Sequence, residues 1–270
     1  MKMGVLPLFD KAEFKDFTYF LSRYKGENLT LGLYGKGIDK EVKLIKDHFN
    51  AFFEANAAKE LNIQLPVNQL FLDFPYNTIH FWEQNPFGPA VLQPEVRDTD
   101  RYAASLSMLC LKRLSNQNSW EDSSTLHIFI ELLSILSCYA GYEYGINVNS
   151  SFNQLIEGLK NRARDKEYLI DKFLELGAGI HREGKSRLDN YFQDISGQVK
   201  APDGLREGRV DDWLDIIKKK RLAPSGVTSQ SKLSEGIKEL ILDVASKIDL
   251  SHRGLIQAIA VVSELNNPTR

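Results

Sequence analysis

Apolar positions recur at helical intervals through most of the chain, with a two-residue alternation breaking in near the amino terminus. Asp10 and Glu13 have the spacing of a capping box, and Phe14, Phe17, Leu21 and Tyr24 follow at helical intervals up to Gly26, which predicts a short amphipathic helix. Leu29, Leu31 and Leu33 then alternate with Thr30, Gly32 and Tyr34, the period of a strand. Gly35-Lys36-Gly37 closes that strand as a turn. Asp39 is placed to cap a helix carrying Val42, Ile45, Phe49, Phe52 and Phe53, and Leu70 to Phe74 reads as a second, more buried strand stopped by Pro75. Strand, helix and strand in that order suggest a βαβ unit with parallel strands and a right-handed crossover. Pro86, Pro89 and Pro94 exclude a continuous helix over residues 84–98 and mark a domain boundary near residue 95.

Beyond it every pattern is helical. Tyr102, Leu106, Leu109 and Leu114 begin one helix, and Leu126 to Tyr139 is apolar on nearly every face, as a central helix is. Ser151 and Gln154 form a second capping box ahead of Phe152, Leu155, Ile156 and Leu159. Leu169, Ile170, Phe173 and Leu174 renew the stripe until Gly177 and Gly179, which predict a break before a short helix over Leu188, Tyr191, Phe192 and Ile195. Val210, Trp213, Leu214 and Ile217 make another, with Asp211 and Asp212 in its first turn and Lys218 to Arg221 at its end, a charge order that suits the helix dipole. The last two are the strongest: Leu233, Ile237, Leu240, Ile241, Val244, Ala245 and Ile248, then Leu255, Ile256, Ile259, Ala260 and Leu265 after Ser251. The expected fold is therefore mostly α, with a small α/β domain over residues 1–95 and an irregular helical bundle over residues 96–270.

Composition adds exclusions more than assignments. With 43% hydrophobic and 26% charged residues and a formal net charge of -2, the chain has the make-up of an ordinary globular protein and no global field drawing it to nucleic acid or an anionic membrane. Cys110 and Cys138 both sit in apolar helical stretches, where a thiol acts as a small hydrophobe, and so sparse a use of cysteine points to a reducing, cytoplasmic setting. The Val5 to Phe9 run is too short for a signal-peptide core, and Leu126 to Tyr142, the nearest approach to a membrane span, is interrupted by Glu131 and serines. No spacing of His, Cys, Asp or Glu reads as a metal motif, and no cofactor is implied.

Four groups of residues carry a chemical suggestion, each beside a plainer one. The pair of terminal helices resembles a helix-turn-helix in outline, with His252 and Arg253 as readers of bases and Lys247 and Ser251 on phosphate; an ordinary helical hairpin explains the same pattern. The basic run Lys218, Lys219, Lys220 and Arg221 is either a nucleic-acid patch or a solvated helix end. Gly35, Lys36 and Gly37, with Asp73 near the end of the next strand, can approach a phosphate, but their spacing matches neither a dinucleotide fingerprint nor a P-loop. His127 and Glu131, one helical turn apart with Ser134 and Cys138 continuing the stripe, have the spacing of an acid–base pair, or of a polar seam between packed helices. Phe81, Trp82, Phe87 and Trp120 fall in or beside the proline-rich connection and suit either a partner-binding surface or packing.

Without a legible reaction centre, the leading expectation is a non-enzymatic protein that binds a macromolecular partner through helical surfaces, as a subunit or adaptor of a complex. A nucleic-acid-binding protein and an α/β enzyme with a phosphate-bearing ligand at Gly35 to Gly37 are the alternatives. No membrane partner is expected.

Overall fold

The computed structural model describes residues 7–8, 17–22, 28–33, 39–56, 79, 98–115, 122–162, 167–222, 229–248 and 250–267. These form eight helices and a two-stranded sheet, in two compact units, Met1–Leu111 and Lys112–Arg270. The fold is mostly α with a small amino-terminal α/β portion, as the hydrophobic pattern predicts.

In the first unit, β1 (Phe17–Ser22) and β2 (Asn28–Leu33) pair antiparallel, with Phe17 opposite Leu33 and Ser22 opposite Asn28. This corrects the helix expected from Phe14 to Tyr24. The stretch Phe17-Thr18-Tyr19-Phe20 is aromatic and β-branched, a composition that packs well on a pleated surface, and helical spacing of a few apolar residues does not outweigh it. Phe17 and Tyr19 are buried together on one face of the strand. Thr18 is buried as well, its Oγ1 3.2 Å from Ser107 Oγ. The expected βαβ unit gives way to a hairpin at this edge of β2, and its other strand, at Leu70 to Phe74, lies outside the described residues.

Helix α1 (Asp39–Ala55) buries Ile45 and stacks Phe49 on Phe53. Helix α2 (Asp98–Ser115) buries Tyr102, Leu106, Leu109 and Leu114, the stripe read from the sequence.

The second unit is built on α3 (Asp122–Tyr144), α4 (Asn149–Arg162), α5 (Glu167–Lys200), α6 (Gly208–Lys220), α7 (Gln230–Lys247) and α8 (His252–Leu265). Helix α8 lies at the centre: every residue from Gly254 to Val262 is buried, against α5, α3 and, less extensively, α4. Helix α3 packs on α8, α5 and α6, so its all-round apolar surface has a neighbour on each side. Its Thr125–Tyr144 window is long and apolar enough to cross a bilayer, with a mean hydropathy of 1.3, yet 67% of it is buried inside the protein, the condition of a core helix.

Two helix boundaries differ from expectation. Helix α5 runs unbroken through Gly177 and Gly179 as a 34-residue element. The reason lies in its neighbour: a Cβ on Gly177 would stand 2.6 Å from Gln257 O and 2.7 Å from Ala260 Cβ of α8. The glycine is there for close approach of two backbones, and the packing obtained outweighs the ~1 kcal/mol of helix propensity it forgoes. At α4, Asn147 Oδ1 accepts from Asn149 N at 2.8 Å and supplies the cap. Ser151, expected to begin the capping box, is inside the helix and buried, its Oγ 2.9 Å from Ser234 Oγ of α7.

Candidate active site

Two polar features stand out in the second unit. The first is a buried carboxylate. Glu131, on the face of α3 that meets α6, accepts a hydrogen bond from Trp213 Nε1 at 2.9 Å on Oε1 and from the Tyr191 hydroxyl of α5 at 3.3 Å on Oε2. Arg113 Nη2 lies 3.9 Å from Oε1 and Arg209 Nη1 3.7 Å from Oε2. Arg113 also donates to Arg209 O at 2.7 Å, and the Arg209 guanidinium stands over the Tyr191 ring. Burial pushes the Tyr191 phenol above its ordinary range, with the Glu131 carboxylate adding to the effect.

A carboxylate with a donor and a cation on each oxygen has its lone pairs engaged, so it holds elements together and is poorly placed to take a proton from a substrate. The acid–base pair expected with His127 is not formed, since His127 points to solvent while Glu131 is buried with other partners. Ser134, next on the stripe, is fully buried with no protein partner for its Oγ.

The second feature is a cleft of about 580 Å³, within the range of small-molecule sites. Its walls are the last turns of α3 with Cys138 and Tyr142, the turn at residues 145–148, and the end of α5 with Phe192, Ser196 and Lys200. Gly145, at a φ of 66°, takes the left-handed conformation that turns the chain away from α3. Asn266, capping α8, donates from Nδ2 to Ser137 Oγ and to Asn149 Oδ1, both at 3.2 Å, and so ties three helices together at the base of the cleft.

Cys138 faces this space as a thiol. Burial raises its pKa to about 11, against the opposing pull of a hydrogen bond with Ser196 and the Lys200 ammonium. At neutral pH the nucleophilic thiolate is therefore scarce, and the site's chemistry lies in its donors: the Lys200 ammonium, the hydroxyls of Ser137 and Ser196, and the Tyr142 phenol. Among the described residues no carboxylate pairs with Lys200, and no group of three His, Cys, Asp or Glu side chains converges as a metal site.

The residues singled out in the sequence are placed differently. Lys218 faces Asp203 at 3.8 Å, Lys219 faces Asp215 at 2.8 Å, and Lys220 faces Glu239 and Asp243 at 3.1 and 3.2 Å. Arg221 leaves α6 in the left-handed conformation. The run is thus a helix end answered by carboxylates. Lys247 is buried, Ser251 Oγ accepts from Gly254 N at 3.1 Å as the cap of α8, and His252 and Arg253 are exposed in its first turn. A recognition helix must offer a face to a groove, and α8 from Gly254 to Val262 is buried in the core, so the packing lends the helix-turn-helix reading no support. Gly35, Lys36, Gly37, Asp73, Phe81, Trp82, Phe87 and Trp120 lie outside the described residues. That Lys200, Ser196, Tyr142 and Asn266 line one cleft is not legible in the sequence, because residues far apart in the chain leave no spacing to read.

No family model matches the chain, and no curated protein matches it. Among solved structures, there is a likeness of overall architecture. One structure it matches is the pyridine synthase TbtD from thiomuracin biosynthesis, with a TM-score of 0.72 and 13% sequence identity, over 98% of this chain and 92% of that one. At that identity the likeness is one of fold. It is enough to overturn the step from a helical architecture to a non-enzymatic binding subunit, since the same architecture serves catalysis in TbtD.

Proposed function

We propose that this chain is an enzyme of the pyridine-synthase type, closing a nitrogen heterocycle on a substrate held in the cleft between the ends of α3 and α5. The observation that carries the reading is the agreement of fold with TbtD over nearly the full length of both chains. The cleft's chemistry is compatible with it. Ring closure joins atoms that a flexible substrate holds apart, and fixing them within reach can supply roughly 7–11 kcal/mol of the barrier. Lys200, Ser137, Ser196 and Tyr142 supply donors for negative charge that develops on a substrate oxygen or nitrogen, while Cys138 stays protonated and covalent attack is not required. Two free cysteines suit a cytoplasmic setting for this reaction.

The test is deletion of the gene in its source organism, with metabolites compared by mass spectrometry. Loss of a pyridine-containing product and accumulation of its uncyclised precursor, reversed by the wild-type chain and not by Lys200→Met, is the expected result. An unchanged profile of such products in the deletion strain overturns the proposal.

A further inference from the structure

A second pocket, of about 240 Å³, opens at the first turn of α8, away from the cleft just described. Leu126 of α3, Ile180 of α5 and Leu250 of the preceding turn give it aliphatic walls, and Ser251, Arg253, Gly254 and Gln257 give it a polar floor. Three observations concern that floor. Gln257 is only 7% exposed, yet no described hydrogen bond engages its carboxamide, so a buried polar group is left facing the pocket. Arg253, one helical turn earlier on the same face, is paired with no carboxylate among the described residues and is held over the Phe173 ring at 6.0 Å. The helix amino terminus is also at hand: Ser251 Oγ takes the Gly254 amide, leaving those of His252 and Arg253 in the same turn.

A guanidinium, a carboxamide N–H and a helix amino terminus converging between branched aliphatic walls match one kind of ligand. We infer that this pocket binds a small aliphatic carboxylate, its oxygens toward Arg253 and Gln257 and its hydrocarbon part against Leu126, Ile180 and Leu250. The pocket's volume suits such a molecule, being several times that of one water. No acidic side chain lines it, so nothing there repels an anion. A bare anion needs only the helix end and Arg253. The aliphatic walls and the buried amide are what select a carboxylate bearing a branched chain.

The inference does not depend on the activity proposed for the larger cleft. It is tested on the full chain by amide NMR titration with isovalerate, isovaleramide and inorganic phosphate up to about 20 mM, a range that detects millimolar affinity. Isovalerate is expected to shift the Gly254 amide, the Gln257 side-chain amide and the Ile180 methyls, with isovaleramide inert and phosphate weaker. Arg253→Gln, at an exposed position that leaves the core untouched, and Gln257→Leu should each weaken isovalerate binding about tenfold, which is about 1.4 kcal/mol. No shift at these residues overturns the inference. Equal binding of phosphate and isovalerate, undiminished in Gln257→Leu, also overturns it, by reducing the site to the electrostatics of a helix end.

Discussion

Gly177 gives the sharpest test of how the second unit is packed. Replacing it with alanine places a methyl 2.6 Å from Gln257 O and 2.7 Å from Ala260 Cβ, and since the first of these is backbone, α5 and α8 must separate to admit it. Overpacking of this kind costs about 1–3 kcal/mol. The same change returns about 1 kcal/mol of helix propensity, so the net effect alone is ambiguous. Gly197 of the same helix resolves the ambiguity, because a Cβ there meets nothing within 4 Å. Gly197→Ala should stabilise by about 0.5–1 kcal/mol, and the propensity term cancels between the two variants. The gap between them is then the overpacking term, about 1–3 kcal/mol, read as a difference in urea midpoint or as about 2–4 °C of Tm per kcal/mol. If Gly177→Ala is as stable as Gly197→Ala, the close crossing of α5 on α8 is not a constraint on the fold and the account given for that glycine fails.

Other consequences can be checked with single variants. Trp213→Phe keeps the buried ring and removes the donor to Glu131 Oε1; leaving that acceptor short of a partner should destabilise by about 1–3 kcal/mol in chemical denaturation, and a neutral outcome would show the carboxylate to be hydrated. Ser251→Ala removes the side-chain cap of α8 and should lower stability by about 1 kcal/mol, with Ser246→Ala, at an exposed position near the end of α7, as a control of smaller effect. For Cys138 the sign follows from a thiol pKa raised in the fold from 9.0 to about 11: below pH 9 both states are protonated, and between pH 9 and 11 the unfolded chain releases a proton that the folded one retains. Stability should therefore fall across that window by about 2–3 kcal/mol more in the wild type than in Cys138→Ala, and iodoacetamide should alkylate the native thiol slowly at pH 7. Equal pH slopes in the two proteins, or rapid alkylation at neutral pH, would contradict the burial that sets this shift.

Most helices of the bundle are legible from periodicity because each has one face to bury or, like α3, a neighbour on every side. The errors share a cause. Phe17 to Ser22 offers both a helical spacing and a strand composition, and the choice is made by pairing with β2 and by Ser107, the latter 89 residues from Thr18 and outside any local window. Gly177 reads as a helix stop until Ala260 is seen against it. Ser151 reads as a cap until Ser234 is found opposite. The site was less legible still. In the sequence Cys138 reads as a hydrophobe and His127 with Glu131 as a pair, but Lys200, Ser196, Tyr142 and Asn266 acquire a shared meaning only when α3, α5 and α8 bring them to one cleft. The basic run at Lys218 to Lys220 is open to two readings in the sequence, and only the fold shows its charge answered by Asp215 on its own helix and by Asp203, Glu239 and Asp243 outside it.

The position of α8 has a consequence for biogenesis. The helix that fills the middle of the second unit is the last of that unit to be synthesised, so α3 and α5 leave the ribosome with their facing surfaces still wet. At about 5–20 residues per second, on the order of ten seconds pass between the emergence of α3 and that of its central partner. Throughout that interval α3 can meet α5 and α6, but the surfaces of α3 and α5 that α8 will cover stay exposed to solvent.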